Sequence, residues 1–337
     1  MIMNSGIITS AKGVLSCSKN DVSLVAQPLA HAGGQNFAFL AVAFNGPDLL
    51  VTDYPGTTGL LEMLQKYKLT HIFAVPAVVN AMAKVHDLET YDLSSLKCLM
   101  IGGSTPNFEM IQQIMKRSNV TSFTAKNVFG ISECANAIFI SNDFLESSAD
   151  SVGVSLPSIS FKIVDLENRS KVITEPNIEG ELLLKQFYPH LLYFNDPKKT
   201  ADSLTEDGFY TTGDFARLDE TFNLYICGRI KDVVKYRGFS VSPAEIEEVL
   251  MENDLIDDCS VVAKPDEKCF EIPVAFVVLS DKGKAKTEEE TSKELIEFVA
   301  KSVAEHKQLR GVYVIDKIPR NGNGKILKRE LRGALLK

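Results

Sequence analysis

The sequence lacks the features from which a membrane span or an export signal could be built. Its longest apolar run, residues 37–44, is far shorter than the roughly 20 residues that a helix needs to cross a bilayer. The first residues carry neither a basic segment nor an apolar signal core. The chain ends in Leu-Leu-Lys and not in the peroxisomal tripeptide Ser-Lys-Leu. From these absences we expect a cytoplasmic protein with no stable membrane span.

Clustered cysteines and histidines are also missing. The six cysteines form no Cys-x-x-Cys pair, and the five histidines form no His-Glu-x-x-His motif. We therefore expect free thiols and no structural zinc. The net charge of −8 argues against a nucleic-acid partner, because proteins that bind nucleic acids normally carry a basic face.

What the sequence does have is an alternation of short apolar runs and amphipathic stretches between about residues 22 and 140. Runs typical of strands buried on both faces lie at 22–26, 49–52, 71–75 and 96–101. Helical patterns lie near 35–44, 57–68, 76–86 and 106–117. This alternation predicts an α/β layer with a mostly parallel sheet. Ligands of such sheets bind at the carboxyl ends of strands, where segments 101–106 and 129–133 fall.

The pattern changes after residue 150. Short strand-like segments interrupted by prolines predict a small β-rich subdomain, and a compact α+β pattern follows. We therefore predict an α/β protein in three parts: a partial α/β core at 1–150, a β-rich subdomain at 151–227 and a C-terminal α+β lid domain at 228–337.

Three motifs follow one another in the second half of the chain: Thr-Thr-Gly-Asp at 211–214, a run that begins with Gly-Arg at 228–239, and Arg-Asn-Gly-Asn-Gly-Lys at 320–325. A carboxylate can hold ribose hydroxyls, an arginine can steady the same sugar, and a lysine on a flexible loop can neutralise charge that develops on a phosphate. In this order the motifs predict a nucleotide-handling enzyme with a mobile lid. Taken alone, the last motif also fits a hairpin turn with a solvated lysine.

The motifs resemble those of the acyl-adenylate-forming superfamily, in its branch of acyl-CoA synthetases, 4-coumarate–CoA ligases and luciferases. The most specific stretches are 207–214, 228–247 and 318–327, and the similarity runs from residue 4 over essentially the whole chain. The resemblance implies an adenylate-forming large domain and a two-step reaction. ATP, with Mg²⁺, and a small-molecule carboxylic acid (fatty or aromatic) give an acyl-adenylate, and coenzyme A then displaces AMP.

The resemblance also implies roles for individual residues. Lys325 would neutralise charge on the phosphate during adenylation, Asp214 would accept hydrogen bonds from both ribose hydroxyls, and Arg229 would support that aspartate. A turn-capping aspartate and a surface arginine are the alternatives for the last two.

A Phe-Gly-Ile-Ser-Glu sequence resembles the Tyr-Gly-x-Thr-Glu segment of the family. Phe129 would stack on adenine, Ser132 would reach phosphate, and Glu133 would act in catalysis by helping to hold Mg²⁺. Gly130 would belong to the nucleotide site and Ile131 to the acyl pocket. The alternative is a loop that closes a buried strand.

Five further residues match family positions. The small residues Gly103 and Ser104 would lie beside the acyl group and the adenine, and His31 would lie beside the acyl pocket. Lys235 and Gly238 fall where the rotated lid of the family serves thioester formation. Alternatives remain open for all of them, namely a strand-to-helix turn, a structural histidine and ordinary strand-turn residues.

The chain departs from the family in the loop that wraps the phosphates. Segment 4–14 aligns with Ser-Ser-Gly-Thr-Thr-Gly-x-Pro-Lys-Gly, but Ile7 and Ile8 replace threonines and Thr9 replaces a glycine, whereas Lys12 is retained at the nucleotide site. Isoleucine offers no donor and stiffens the loop, which predicts weak or absent pyrophosphate exchange but detectable AMP binding.

The family also carries a whole subdomain before this loop, where the present sequence has three residues. Two interpretations follow. The chain either retains some ligase activity, or it is a non-catalytic, N-terminally truncated homologue that binds AMP, an acyl ligand or a partner. An incomplete gene model would give the same sequence.

Overall fold

The computed structural model describes residues 18–35, 47–103, 108–120, 123–134, 136–141, 151–157, 159–186, 193–321 and 325–335. The chain forms two compact units, one of Met1–Thr212 with Ala216–Ile226 and one of Gly213–Phe215 with Cys227–Lys337. The phosphate-loop segment 4–14 and most of the predicted helix at 35–44 lie outside the described residues.

The first unit is built on a seven-stranded sheet with the order β2-β1-β3-β4-β5-β6-β7. Its strands are β1 (Val22–Val25), β2 (Asp48–Val51), β3 (His71–Ala74), β4 (Cys98–Gly102), β5 (Thr124–Ile131), β6 (Asn136–Ile140) and β7 (Val154–Ser155). All pairs from β2 to β5 are parallel, and β6 pairs antiparallel with both β5 and β7. The mostly parallel sheet predicted from the sequence is confirmed.

The helices of this unit follow their apolar spacing. Those described among the strands of the large sheet are α1 (Gly56–Tyr67), α2 (Pro76–Ala83) and α3 (Phe108–Arg117). In α1 the buried leucines at 60, 61 and 64 lie on one face, and Lys68 in the left-handed conformation ends the helix. Helix α2 begins with Pro76, whose missing N–H is not needed at the first helical position. These faces and the strands form one continuous core.

Burial of the strands depends on their place in the sheet. Strand β4 is buried along its whole length, as predicted, because strands flank it on both sides. The prediction of burial on both faces is wrong for β2, whose end residues are exposed. Among the described strands, β2 pairs only with β1 and lies at one end of the sheet, so fewer neighbours cover it.

A second, four-stranded sheet has the order β11-β10-β9-β8. It consists of β8 (Ile159–Val164), β9 (Gly180–Gln186), β10 (Tyr210–Leu218) and β11 (Leu224–Arg229), and α4 (Pro197–Asp202) lies between β9 and β10 in the chain. The β-rich character predicted for this region is confirmed. Alternate residues of these strands, among them Leu182, Leu184 and Ala216, enter a core shared with β5 and β6.

The remainder of the chain is an α+β arrangement, as predicted. Its elements are β12 (Val234–Tyr236), β13 (Phe239–Val241), α5 (Pro243–Met251), β14 (Ile256–Asp266), β15 (Phe270–Leu279), α6 (Asp281–Lys284), α7 (Glu288–Ser302), β16 (Val312–Val314) and α8 (Lys328–Ala334). Helices α5 and α7 contribute Ile246, Leu250 and Leu295 to one core. Leu331 of α8 belongs to a separate core with Val262 and Phe276.

No helix in the part of the chain that the structure describes is both long and apolar enough to span a bilayer.

Candidate active site

The first group of predicted residues lies where β4 and β5 end. Gly102 and Val128 are register partners in this parallel pair, so Gly103 and Phe129 continue the two strands at the same edge of the sheet. Gly103 has a φ of 97°, which a side chain would make strained, and it is exposed. The predicted partner Ser104 lies outside the described residues, as does Lys12.

The Phe-Gly-Ile segment is the end of strand β5 rather than a loop after it. The ladder between β5 and β6 is irregular between Phe129 and Gly130. Phe129 is half-buried, and its ring lies 6.2 Å from that of the buried Phe139. Ile131 is buried in the core between the two sheets. The structure therefore leaves the Phe129 ring partly accessible and encloses the Ile131 side chain.

Glu133 lies in a short 3-10 turn, Ser132–Cys134, directly after β5, and Ser132 is exposed there. The hydroxyl of Tyr193 donates a hydrogen bond of 2.7 Å to Glu133 Oε1. The Tyr193 oxygen also lies 3.1 Å from the hydroxyl of Tyr210. Sequence reasoning assigned no role to either tyrosine.

The surroundings of these tyrosines keep their hydroxyls protonated. Burial raises the pKa of Tyr210 well above its usual range, and the hydrogen bond to Tyr193 and the charge of Glu133 add to the effect. Burial likewise raises the pKa of Tyr193. Both phenols therefore act as hydrogen-bond donors at neutral pH, and the Glu133 carboxylate accepts.

Glu133 has the chemistry of a magnesium ligand only in combination with a nucleotide. Within the described ranges no group of three or more His, Cys, Asp or Glu side chains could hold a metal ion. Mg²⁺ is commonly bound by one or two carboxylates together with waters and substrate phosphates. The single carboxylate of Glu133 fits a metal that is shared with phosphates and does not fit one held by protein groups alone.

His31 is exposed and takes part in a local turn. Its Nδ1 accepts a hydrogen bond of 3.1 Å from the backbone N–H of Gly33. This contact orients the ring against its own segment, and it is compatible with both the structural role and the place beside an acyl group that the sequence left open. The two roles can coexist, because Nε2 takes no part in this bond.

A second group of predicted residues centres on Asp214 of β10 and Arg229 at the end of β11. Asp214 is 2% exposed, and the Nε atom of Arg229 lies 2.9 Å from its Oδ1. The adjacent Gly213 has a φ of 69°, although nothing would contact a Cβ there. The backbone conformation, not crowding, therefore favours glycine at this position. The structure thus joins the two predicted side chains into one charge-assisted pair.

Lys235 and Gly238 lie in the hairpin of β12 and β13. Tyr236 pairs with Phe239, so Arg237 and Gly238 form a two-residue turn, and both have positive φ (48° and 85°). A Cβ on Gly238 would have no neighbour within 4 Å, which leaves open space at this turn. The exposed Lys235 ammonium donates to Ser240 Oγ over 3.2 Å.

Lys325 is exposed at the closing end of a hairpin-like loop. The Asn321 N–H donates to the Lys325 carbonyl over 2.9 Å, and the Lys325 N–H donates to Asn321 Oδ1 over 3.0 Å. Arg320 anchors the incoming segment through two hydrogen bonds of 2.9 Å to the carboxylate of Asp258. Arg320 and Ile326 form an antiparallel bridge, residues 322–324 lie outside the described residues, and the Lys325 side chain is exposed to solvent.

Comparison with known proteins identifies the family of the chain. The family model described as AMP-binding enzyme matches residues 1–191, and the model described as AMP-binding enzyme C-terminal domain matches residues 245–325. The chain therefore belongs to the AMP-binding enzyme family, the acyl-adenylate-forming superfamily whose motifs it carries.

Within this family the chain is similar to plant 4-coumarate–CoA ligases. It is 33% identical to the enzyme of Pinus taeda over 94% of this chain and 58% of that protein. It is 32% identical to 4-coumarate–CoA ligase 1 of Petroselinum crispum over 99% of this chain and 62% of that protein. The chain thus spans about 60% of the length of these curated relatives.

Solved structures show the same fold. The ATP-bound MatB of Rhodopseudomonas palustris matches with a TM-score of 0.84 and 22% identity, over 98% of this chain and 63% of that one. The o-succinylbenzoate CoA synthetase of Bacillus subtilis, in complex with its acyl-adenylate intermediate, matches with a TM-score of 0.82 and 24% identity, over 97% of this chain and 64% of that one.

Proposed function

We propose that this chain is an AMP-forming acid–thiol ligase, which activates a carboxylic acid as its acyl-adenylate and transfers the acyl group to coenzyme A. The observation that carries the proposal is the pair of Asp214 and Arg229. A buried carboxylate held by a guanidinium has a fixed direction, so it is a suitable acceptor for two neighbouring ribose hydroxyls. Membership of the AMP-binding enzyme family supports adenosine as the group that carries this ribose.

The proposed reaction replaces a poor leaving group by a good one. The substrate carboxylate attacks the α-phosphorus of ATP and pyrophosphate leaves. The thiol sulfur then attacks the acyl carbon, its proton is released to solvent, and AMP leaves with the bonding electrons. In the first step negative charge grows on the α-phosphate oxygens, and a cation brought to them lowers the barrier. We assign this role to the ammonium of Lys325, which its loop presents to solvent.

The residues at the ends of β4 and β5 are proposed to bind the rest of the nucleotide. Phe129 would stack on adenine beside Gly130, Ser132 would contact phosphate, and Glu133 would hold the Mg²⁺ ion that accompanies ATP. When bound, this ion supplies neutralisation of phosphate charge. Lys12 and Ser104, outside the described residues, would complete the nucleotide site.

The proposal also covers the acyl and thiol sites. Gly103, His31 and Ile131 would border the acyl group, and the open turn at Gly238 with Lys235 would serve thioester formation. The names of the plant relatives favour an aromatic acid, and fatty acids remain in the same proposal.

A second candidate function is AMP binding without turnover. It is favoured by Ile7 and Ile8, which stand where the family has threonine hydroxyls in the phosphate loop. Loss of these donors weakens the hold on pyrophosphate but leaves the ribose site of Asp214 and Arg229 intact.

Acid-dependent exchange of pyrophosphate into ATP tests the ligase proposal, with a panel of hydroxycinnamic and fatty acids. We expect weak exchange that requires an acid and that falls by about 100-fold or more in Lys325→Ala, because a cation aimed at the transition-state charge is lost. Lys317→Ala removes another exposed lysine, eight positions upstream, and should retain the parent rate.

Ligase activity and AMP binding without turnover predict different results in the exchange and binding measurements. AMP binding without exchange for any acid would overturn the ligase proposal in favour of the second candidate. Exchange that survives in Lys325→Ala would overturn the role assigned to this lysine. A parent chain that binds neither ATP nor AMP would contradict both functions.

A further inference from the structure

Tyr193 is held by contacts with its own segment of the chain. Its backbone N–H donates to Thr200 Oγ1 over 3.0 Å, and the Lys199 ammonium lies 4.1 Å from the centre of its ring. The side chain of Asp196 caps α4 by accepting from the Lys199 N–H over 2.9 Å. Both the backbone and the ring plane are thus set before the hydroxyl reaches Glu133.

The hydrogen bonds at the Tyr193 hydroxyl have one direction. An ionised carboxylate can only accept, so Tyr193 donates to Glu133 Oε1 over 2.7 Å. The Tyr193 oxygen is then available to accept from the Tyr210 hydroxyl, 3.1 Å away. Tyr210 is buried at the start of β10 and also hydrogen-bonds to Glu133 directly, so Tyr193 and Tyr210 together tie the carboxylate to a rigid strand.

We propose that Tyr193 is a positioning residue, which holds the Glu133 carboxylate in the orientation that binds a divalent cation together with nucleotide phosphates. This inference rests on the proposed function, because it takes Glu133 as the magnesium-binding carboxylate. A glutamate has several rotatable bonds, and freezing them on binding costs free energy. A partner that fixes the carboxylate beforehand reduces this cost, as second-layer hydrogen bonds do in other metal sites.

If the hydrogen bond between Tyr193 and Glu133 only stabilises the fold, a different result is expected. The bond joins the turn after β5 to the segment before α4, so its loss could lower stability without any effect on a metal. A structural role would weaken ATP and AMP binding together through partial unfolding. A positioning role affects only binding that depends on the cation.

The test is a titration of Mg²⁺ at fixed ATP, with bound ATP measured by calorimetry, for the parent and for Tyr193→Phe. We expect the half-saturating Mg²⁺ concentration to rise about tenfold in Tyr193→Phe, in line with the usual effect of removing an outer hydrogen bond from a metal ligand. AMP affinity, measured without metal, should stay unchanged.

Tyr225→Phe is the matched control, because the Tyr225 hydroxyl also donates to a carboxylate, that of Asp219, over 3.2 Å. It should behave as the parent. Lys199→Met keeps the phenol but removes the cation over its ring, and it should raise the half-saturating Mg²⁺ concentration by about threefold. This variant keeps the inference testable if Tyr193→Phe folds poorly.

The possible results distinguish the positioning role of Tyr193 from the proposed function of the chain. If the half-saturating Mg²⁺ concentration in Tyr193→Phe and in Lys199→Met stays within twofold of the parent, the positioning role is overturned while the proposed function stands. Parallel loss of AMP binding in Tyr193→Phe would assign the bond a structural role and overturn the inference. ATP binding by the parent that does not depend on Mg²⁺ would also overturn it. A parent that binds no adenine nucleotide would overturn the proposed function, and the inference with it.

Discussion

Polar and charged residues gather at the edge of the large sheet opposite the candidate site; Asp21 and His71 are buried, whereas Lys97 is exposed. Asp21 precedes β1, His71 begins β3 and Lys97 precedes β4, all at the amino ends of parallel strands. Lys97 Nζ lies 2.6 Å from Asp21 Oδ1, and the ring of His71 lies 2.9 Å from Thr70 Oγ1. Ligands of parallel sheets bind at the carboxyl edge. We therefore assign this cluster to stability.

The cluster gives the protein a defined dependence of stability on pH. Burial lowers the pKa of His71, nearby Lys97 and Lys126 lower it further, and Asp21 opposes them. Because the unfolded chain then takes up a proton at a higher pH than the folded chain, the free energy of unfolding falls as the pH drops below about 6.5, the ordinary histidine pKa. Urea unfolding at pH 7.5 and pH 5.5 should show this loss in the parent and a smaller loss in His71→Gln.

The exposed His86 supplies the control for this prediction. His86→Gln should retain the pH dependence of the parent. Equal dependence in His71→Gln and the parent would contradict the assignment. Asp21 acts in a separate window: burial opposes its ionisation, but bonds from Lys97 and Ser18 prevail and lower its pKa to about 2, so its contribution is lost only as the pH falls from about 4 towards 2.

The sequence predicted one residue pair of the site, because both residues lie in recognisable motifs. Asp214 and Arg229 were named together because each sits in a distinctive local sequence, and the structure joins them. Tyr193 was missed because it is one of nine tyrosines and its partner Glu133 is 60 positions away in the chain. Only the folded arrangement of β5 and the segment before α4 brings such side chains together. The remaining site residues stay predictions.

The elements differ in how clearly their sequences show them. Helix α1 was predicted because its leucines recur on one face, and the α2 start was marked by Pro76. Strand β5 was predicted only through its carboxyl end at 129–133 and without bounds, because Lys126, Asn127 and Gly130 interrupt its apolar pattern. Its flanking strands determine its conformation, since it pairs with β4 on one side and β6 on the other.

Helix α7 carries a local signal that can be tested on its own. Thr287 and Glu290 form a capping box, in which Thr287 Oγ1 accepts from the Glu290 N–H and the Glu290 side chain accepts from the Thr287 N–H. Thr287→Ala should lower the free energy of unfolding of the second unit by about 1 kcal/mol, the usual effect of losing an N-cap. Urea unfolding followed by circular dichroism measures this change.

The matched control is Thr287→Ser, which keeps the capping hydroxyl and should lose much less stability than Thr287→Ala. Equal losses in the two variants would show that the methyl group of Thr287, and not its cap, stabilises the helix. Neither substitution should change AMP binding, because Thr287 is an exposed residue and the hydrogen bonds of its capping box join it to Glu290 of the same helix.

The residues of the proposed site are divided between the two compact units of the molecule. Phe129, Glu133 and Tyr193 belong to the first, whereas Asp214, Arg229 and Lys325 belong to the second. Asp214 follows Tyr210 by four residues on strand β10, so one strand supplies residues to both groups. The sequence predicted the fold class at this scale from the alternation of elements. The predicted domain limits at 150 and 228 stay predictions.

If Asp214 binds the ribose of an adenine nucleotide, calorimetric titration of AMP into the parent and into Asp214→Ala will show different affinities. Hydrogen bonds to a charged group contribute about 1.5–3 kcal/mol each, so losing two should weaken AMP binding by about 100-fold or more. Asp207→Ala removes an exposed aspartate seven positions upstream and should bind AMP as the parent does. Asp214→Ala protein that is folded by circular dichroism and binds AMP as tightly as Asp207→Ala would show that Asp214 does not bind the ribose.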